Sequence, residues 1–335
     1  MKRIIIIIIN LIFILFLILF LFFNLEKKED PNKGELKEKI DSILKEGIDS
    51  LYNSQLEYGE FKSYYCFDKQ LNNCYFDSSP FVTTFILYSI KDISNPKIYE
   101  INKIALKFLL NEQKDGLWSY WTSKNNKTLV SDLDDTSCTS FILRYYNQSF
   151  HENIKIINQN KDENNLYHTW INPPFENDID CVVNVNILLY LQENDPNVCF
   201  YINNAIKNHE VCSIYYPSKF SFYYMISRAY NNNIICFEDS KELIIKEIIN
   251  SQRKDGSIGN LLETSLALNT LINFNYKGYE IDKIVDYLIL NFERVFSSKN
   301  LFYSYEKNSA YFYSNDLILS VYLEGLNKYY KIYLN

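Results

Sequence analysis

The hydrophobic pattern of the chain alternates between two kinds of predicted helix. Six segments are apolar on nearly every side and begin at a polar or acidic residue: Ser79, Asp134, Asp180, Ser218, Glu263 and Asn315. Six amphipathic segments precede or separate them, with apolar and charged positions at helical spacing: 36–53, 97–111, 150–158, 196–208, 238–251 and 279–294. A helix that is apolar all round is buried, whereas a helix with a polar face lies at a surface.

These segments predict an all-α fold built from repeated helical hairpins. The apolar segments begin 38 to 55 residues apart, a spacing typical of repeat architectures. Paired with the amphipathic segments, they predict a single α/α toroid of about six hairpins over residues 36–335, with the apolar helices as its inner ring. The inner helices then all run in the same direction, so their N-termini and the acids at them meet at one mouth.

The first residues of the chain have a different pattern. Residues 4–23 are apolar except for Asn10, and Lys2 and Arg3 precede them. Twenty apolar helical residues span a bilayer core of about 30 Å, and the basic residues favour a cytoplasmic N-terminus. The sequence therefore predicts a membrane anchor or uncleaved signal over residues 1–24, a linker over 25–35, and a body outside the cytoplasm. A cleaved signal is the alternative.

Composition narrows the classes of partner. The chain has 335 residues, a formal net charge of −7 and 16% aromatic residues, including 29 Tyr. An acidic protein of this kind is not expected to bind nucleic acid. The seven Cys form no CxxC pair, which argues against a zinc ribbon. Cys66 and Cys74 flank a short polar loop and could form a disulfide in an oxidising compartment, while the other Cys are interpreted as buried. No cofactor is predicted.

Three carboxylates lie within four residues at the start of the second apolar segment: Asp132, Asp134 and Asp135. Like charges at this spacing raise the pKa of at least one of them, so that a carboxyl group can stay protonated and act as an acid. The alternative is that these residues only cap the helix.

A second acidic cluster and several aromatic loops complete the candidate site. Asp178 and Asp180 open the next apolar segment, in which Asn184 and Asn186 need polar partners if they are buried; this predicts an inward polar patch beside Asp134. The loops that enter the apolar helices are rich in aromatic residues. The predicted substrate-binding residues are Trp118, Tyr120, Trp121, His168, Trp170, Asp178, Asp180, Asn184, Tyr216 and Tyr313.

Turn sequences recur before three of the apolar helices. Residues 251–258 (SQRKDGSI) align with residues 111–118 (NEQKDGLW) and more loosely with residues 54–61 (SQLEYGEF). They are similar to the Gln-x-x-Asp-Gly-x-Trp repeat of squalene–hopene-type cyclases, with departures at Glu112, Tyr58 and Ile258. Over residues 36–330 the chain thus resembles the terpenoid cyclase/protein prenyltransferase toroid superfamily.

The resemblance gives the first acidic cluster an expected role. Residues 132–135 (DLDD) match the DxDD motif of class II terpene cyclases. This implies that Asp134 is the general acid that protonates an alkene or epoxide, while Asp132 and Asp135 position it and tune its pKa. Protein prenyltransferases of this superfamily hold zinc, but Asp180, Cys181 and His168 do not follow their pattern, so no metal is predicted. The chain is long enough for one toroid, whereas hopene-forming enzymes have two, so a second toroid or a homo-oligomer could complete the cavity.

Three functions compete at this point. The first is a membrane-anchored class II cyclase that acts on an isoprenoid or another apolar lipid. The second is a non-catalytic toroid that binds a peptide, lipid or glycan. The third is a carbohydrate-active enzyme, which would need Asp134 and Asp180 as paired acids about 6–9 Å apart. An enclosed aromatic cavity around Asp134 would favour the first function.

Overall fold

The fold is described by a computed structural model for residues 31–125, 127, 129–210, 212–305 and 309–334. Its α-helices are α1 (Pro31–Ser54), α2 (Pro80–Ile90), α3 (Pro96–Asn111), α4 (Leu133–Tyr145), α5 (Ile154–Gln159), α6 (Cys181–Leu191), α7 (Pro196–Lys207), α8 (Lys219–Asn231), α9 (Glu238–Ser251), α10 (Leu261–Asn273), α11 (Glu280–Leu290), α12 (Phe292–Val295) and α13 (Asn315–Tyr329). A short 3₁₀ helix (Ile235–Phe237) precedes α9, and a π-helical turn (Tyr330–Leu334) follows α13.

The helices form two concentric rings. Helices α2, α4, α6, α8, α10 and α13 pack each against the next, and α13 returns to α2, which closes the inner ring. Helices α1, α3, α5, α7, α9 and α11 alternate with them along the chain. In α2 all residues are buried, whereas α3 buries only the side that carries Ile98, Ile101, Ala105 and Leu109. The predicted toroid of six hairpins is confirmed, because the apolar and amphipathic segments became inner and outer helices.

Each inner helix begins at a side chain that accepts a hydrogen bond from its first turn. The N-caps are Ser79, Asp132, Asp180, Ser218, Asn260 and Ser314. Three predicted starts lie inside their helix rather than at its cap, and Asn315 is the first helical residue after the cap Ser314. Asp134 lies in the first turn of α4, with Asp132 as the cap. Glu263 lies in the first turn of α10 and forms a reciprocal capping box with Asn260.

The recurrent turns share one construction. In each, a main-chain N–H donates to a threonine of the next inner helix: Phe61 to Thr83 (2.9 Å), Trp118 to Thr136 (3.1 Å) and Ile258 to Thr264 (3.0 Å). Gly59 and Gly256 have φ of +107° and +89°. A Cβ there would lie 2.3 Å and 2.1 Å from the carbonyl oxygens of Ile104 and Lys283. The repeated motif therefore fastens each outer helix to the following inner one.

The sequence predicted a purely helical fold, but the structure also contains a small sheet beside the mouth. Strands β1 (Tyr64–Cys66), β2 (Cys74–Phe76), β3 (Tyr303–Tyr305) and β4 (Ala310–Tyr313) pair in the order β2-β1-β4-β3, all antiparallel. Pairing of β1 with β4 joins the first hairpin of the toroid to the last. Strands of three or four residues are too short to show a period-two pattern, which is why the sequence did not predict them.

Three disulfides fasten loops and helix ends of the described chain. Cys66–Cys74, which the sequence suggested, links β1 to β2. Cys181–Cys212 and Cys199–Cys236 join residues for which only burial was predicted; Cys181 and Cys199 are buried, but the two pairings were not predicted. Cys138 is the free, buried cysteine of the described residues.

The prediction of a single-pass membrane protein with an extracytoplasmic body was wrong. None of the helices in the described ranges is long and apolar enough to cross a membrane. Helix α1 has 24 residues, but Lys, Glu and Asp recur along it. The predicted anchor at residues 1–24 lies outside the described residues, and α1 begins within the predicted linker, at Pro31.

Candidate functional site

An aromatic cavity of about 620 Å³ opens at the mouth where the inner helices begin. Its wall comes from the N-terminal turns of α2 and α4, from the loops before α4, α6 and α8, and from β1, β3 and β4. The lining residues are Tyr65, Phe81, Tyr120, Trp121, Lys127, Leu129, Asp132, Asp134, Asp135, Thr169, Trp170, Phe175, Glu176, Tyr215, Tyr216, Tyr303, Ser304, Tyr305, Ala310 and Phe312. Eleven of these twenty side chains are aromatic, so the cavity is shaped for an apolar ligand.

Asp134 faces this cavity from the first turn of α4 and is therefore only partly buried. Its Oδ1 accepts a hydrogen bond from Nδ2 of Asn186 at 2.6 Å, and its Oδ2 accepts one from the Tyr216 hydroxyl at 2.6 Å. Loss of solvent raises the pKa of Asp134, whereas these two donors and the charge of Arg228 lower it. The net direction is upward, which favours a carboxyl group that holds its proton.

Asp132 and Asp135 flank Asp134 and are almost fully buried. Oδ1 of Asp132 accepts the main-chain N–H of Asp135 at 2.7 Å, which caps α4. Oδ2 of Asp132 and Oδ1 of Asp135 have no hydrogen-bond partner. Burial raises the pKa of both, and the charges of Asp132 and Asp134 raise the pKa of Asp135 further, well above its usual range. The cluster therefore retains protons at a pH where isolated carboxyl groups have lost them.

Four of the predicted substrate-binding residues line the cavity together with the three aspartates. Trp121 donates through Nε1 to Oδ2 of the buried Asp77 at 2.9 Å. Trp170 donates to the hydroxyl of Tyr215 at 2.9 Å. The hydroxyl of Tyr120 lies 2.7 Å from that of Tyr303. The fourth is Tyr216. Their indoles and phenols are thus held in fixed orientations by hydrogen bonds at their polar ends.

Three other predicted residues belong to the framework. Trp118 is fully buried and donates to the carbonyl of Leu109 at 2.8 Å. Asn184 is buried, and its amide bonds both main-chain groups of Tyr167. Tyr313 is buried against the sheet. These side chains do not line the cavity, because the aromatic and polar signals that selected them also serve the packing of the repeats.

The second acidic cluster also lies outside the lining. Asp180 is fully buried and caps α6. Asp178 accepts a hydrogen bond from the Tyr215 hydroxyl at 2.7 Å and so lies behind a lining residue. His168 is half-buried, and its Nδ1 has no hydrogen-bond partner. No group of three or more His, Cys, Asp or Glu in the described parts of the chain could hold a metal ion.

The sequence reasoning missed several residues of the site. Arg228, on α8, donates a hydrogen bond to Asn186, which contacts Asp134. In the sequence, Arg228 could have been noticed as a single charged residue inside an apolar inner segment. Phe81 and Phe312 bring further aromatic rings to the wall, and rings of this kind are hard to distinguish from core residues in a sequence. Lys127 lines the mouth, with Nζ 4.7 Å from the centre of the Trp121 ring.

The comparisons with known proteins concern the fold. No protein-family model matches the chain, and no curated protein does. Among solved structures, a variant of the type II terpene cyclase MstE from Scytonema, in complex with the product merosterolic acid A, has a TM-score of 0.68 at 11% identity, covering 88% of this chain and 98% of that one. Another MstE variant, with the substrate geranylgeranyl dihydroxybenzoate, has a TM-score of 0.67 at 12% identity and the same coverage.

A third solved structure extends the comparison. The ent-copalyl diphosphate synthase from Streptomyces platensis has a TM-score of 0.58 at 14% identity, covering 74% of this chain and 50% of that one. The chain therefore has a terpenoid cyclase-like toroid fold, as the turn motifs predicted.

Proposed function

We propose that this protein is a class II terpene cyclase-like enzyme in which Asp134 starts the cyclisation of an isoprenoid chain by protonating it. The observation that carries the proposal is one carboxyl group, held by two side-chain donors, that faces an aromatic cavity of about 620 Å³. Fold alone does not determine activity, so the proposal depends on this site.

The hydrogen bonds of Asp134 suit a proton donor. A carboxyl group has about four lone-pair positions, and Asn186 and Tyr216 each occupy one of them. A proton on a remaining position can face the cavity and pass to the terminal alkene carbon or epoxide oxygen. The same two donors then stabilise the aspartate anion. The π electrons of the next double bond close the ring, the final carbocation loses a proton from carbon to water, and Asp134 regains a proton from water.

The wall of the cavity suits a positively charged intermediate. The faces of Phe, Tyr and Trp attract cations, by about 2 kcal/mol or more each when water is excluded. Phe81 and Tyr303 pack with ring centres 4.4 Å apart, and Tyr303 stacks on Phe312 at 4.7 Å. These rings share the lining with Asp134, so a carbocation formed there would meet aromatic faces rather than solvent.

The dimensions and polarity of the site indicate how a substrate would enter. The acids lie on the first turn of α4, whereas Lys127 and Glu176 are the other charged residues of the lining. An isoprenoid would therefore enter tail first, with its last double bond at Asp134 and a polar head group at the mouth. MstE has been crystallised with geranylgeranyl dihydroxybenzoate, and a prenylated compound of this kind is the first substrate class to test here.

The paired acids of a glycosidase are not supported, because Asp180 does not line the cavity. A non-catalytic toroid that binds an apolar ligand in the same cavity is the alternative. The two differ in chemistry, since only the cyclase transfers a proton from the protein to carbon.

The decisive experiment is turnover in D₂O. The protein is incubated with geranylgeranyl dihydroxybenzoate and with squalene, and products are analysed by mass spectrometry. We expect cyclic isomers that carry one deuterium, because protonation starts the reaction and a different hydrogen leaves at its end. Asp134→Asn should lower the rate by about 1,000-fold or more, as expected for removal of a general acid.

The control is Asp178→Asn, which makes the same chemical change at a carboxyl behind the cavity wall and should retain most of the turnover. Ligand binding without any cyclic product, in a wild-type protein that folds normally, would favour the non-catalytic alternative.

A further inference from the structure

Arg228 is a buried cation at the centre of the inner ring. It is 2% exposed. Its Nη2 donates to Oδ1 of Asn186 at 2.6 Å and contacts Sγ of Cys138 at 3.7 Å. The guanidinium lies 4.8 Å and 4.9 Å from the ring centres of Phe85 and Tyr88.

Burying the charge of Arg228 destabilises the fold, which is unexpected for a residue with a purely structural role. Among the ion pairs of the described residues, none includes Arg228, and its Nε has no hydrogen-bond partner. A buried charge without an ion-pair partner destabilises the fold, and replacing such a charge by an apolar residue of similar size is often neutral or stabilising. The hydrogen bond from Arg228 to Asn186 therefore indicates a role beyond packing.

Asn186 connects Arg228 to the candidate acid. Its Oδ1 accepts from Arg228, and its Nδ2 donates to Oδ1 of Asp134 at 2.6 Å. Because a guanidinium has donors only, it requires the amide oxygen of Asn186 to face α8 and the amide nitrogen to face Asp134. With the amide reversed, the oxygen would instead face Asp134 and accept a hydrogen bond from its carboxyl proton. The acid proton would then be directed away from the cavity.

We propose that Arg228 is a positioning residue that acts on Asp134 through Asn186. It holds the Asn186 amide in the orientation that donates to Asp134 and leaves the acid proton free to face the cavity. This inference depends on the proposed function for its effect on turnover, although its effect on Asp134 itself does not. Arg228 does not line the cavity, so it is not expected to contact substrate.

Other titratable or charged groups surround the pair and must be considered in any pH profile. Asp132, Asp135, Cys138, Asp180 and Tyr216 interact with Asp134, and Cys138, Tyr88 and Tyr224 interact with Arg228, while Glu324 acts on Tyr88 and Tyr224. Arg228 is a cation that lowers the pKa of Asp134. Its removal should therefore make the Asp134 anion less stable and raise the pH at which Asp134 titrates.

Two substitutions in the full-length chain test the role. Arg228→Met removes the charge and the donor, and we expect kcat to fall by about 10- to 100-fold with KM nearly unchanged. Arg228→Lys keeps a charge and a donor and should restore part of kcat. In a double-mutant cycle, Arg228→Met should have a smaller effect once Asn186→Leu is present, because only the direct charge effect of Arg228 on Asp134 then remains. Arg144→Met is the matched control, because Arg144 also lies over a tyrosine ring, Tyr190, and bonds its carbonyl.

A measurement that needs no turnover separates this inference from the proposed function. Aspartate labelled with ¹³C at its carboxyl carbon is followed by NMR across pH, and the Asp134 signal is assigned by its absence in Asp134→Asn. We expect Asp134 to titrate at higher pH in Arg228→Met and at the wild-type pH in Arg144→Met. An unchanged Asp134 titration in folded Arg228→Met, or in folded Asn186→Leu if the Met variant does not fold, would overturn the inference. A shifted titration without any turnover would reject the proposed function alone.

Discussion

The first turns of α4 and α6 carry the same kind of sequence but have opposite surroundings. Both helices are inner helices that begin with an acidic cluster after an aromatic loop. At α4, Asp132 caps the helix and Asp134, two residues later, faces the cavity and contacts only side chains. At α6, the cap is Asp180 itself, which is fully buried and does not line the cavity.

The partners of the two carboxyl groups explain the difference. Asp180 accepts five hydrogen bonds, two from the first turn of α6 and three from residues 213–215. The disulfide between Cys181 and Cys212 holds that loop against the start of the helix. All of these donors belong to the framework, so Asp180 has a structural role. Asp134 keeps lone pairs that no framework donor occupies, which is the condition for a group that exchanges a proton.

The largest expected effect on stability comes from exchanging the two acids for alanine. Asp180→Ala leaves two buried and three half-buried donors without their acceptor and should lower the free energy of unfolding by about 3 kcal/mol. Asp134→Ala should lower it by less, about 1 kcal/mol, because only two side-chain hydrogen bonds, from Asn186 and Tyr216, lose their acceptor. Urea unfolding followed by circular dichroism measures both. Equal losses would mean that the two carboxyl groups do not differ in the way the structure indicates.

Adjacent tyrosines provide a finer test, because each serves one of the clusters. Tyr216 donates to Asp134 at 2.6 Å, and Tyr215 donates to Asp178 at 2.7 Å. Tyr216→Phe removes a hydrogen bond that stabilises the aspartate anion, so kcat should fall by about tenfold or more. Tyr215→Phe makes the same change beside a residue without a catalytic role and should alter kcat by a few-fold at most. Steady-state rates with the same prenylated substrate compare them, and similar losses in both variants would contradict the assignment.

Much of the fold could be predicted because helical periodicity is a local signal. Apolar residues on all sides distinguished the inner helices, and the polar residues at their starts marked the mouth to within a few positions. The sheet could not be predicted, since β1 and β4 pair residues that are more than 240 positions apart, such as Tyr64 with Tyr313. Nothing local in either strand specifies that partner.

The site was predictable only in part. The cluster of three aspartates was visible, and the expected polar patch beside Asp134 is confirmed by its contact with Asn186. Asn184, two residues earlier on α6, instead bonds main-chain groups of Tyr167, because residues two apart lie on different sides of a helix. Trp118 and Asp180 were assigned to substrate although they serve the framework. A sequence shows which side chains can do chemistry, whereas the backbone donors that already occupy them appear only in the structure.

The smallest expected effect is the pH dependence of stability, which should separate the two clusters. Burial raises the pKa of Asp135 well above its usual range and that of Asp180 to about 6. Each group holds its proton more tightly when folded than when unfolded, where an Asp pKa is about 3.9. Folding therefore takes up protons, and stability should rise as pH falls, by up to about 1.4 kcal/mol per pH unit for each group.

The two clusters should act in different pH windows. Above about pH 6 the increase in stability as pH falls should come from the α4 cluster together with the buried Glu60, whose pKa is raised to about 7, so Asp135→Asn should flatten the curve there in part. Below about pH 6 Asp180 should also contribute, and Asp180→Asn should flatten only that part. Asp255 is a suitable control, because hydrogen bonds from Ser257 lower its pKa below the usual value and it takes up no proton in either window. Urea midpoints across pH measure all four proteins. If Asp135→Asn left the slope of stability against pH unchanged near neutrality, Asp135 would be ionised in the folded protein. The α4 cluster would then be a structural cap like that of α6 rather than a group of protonated acids beside the cavity.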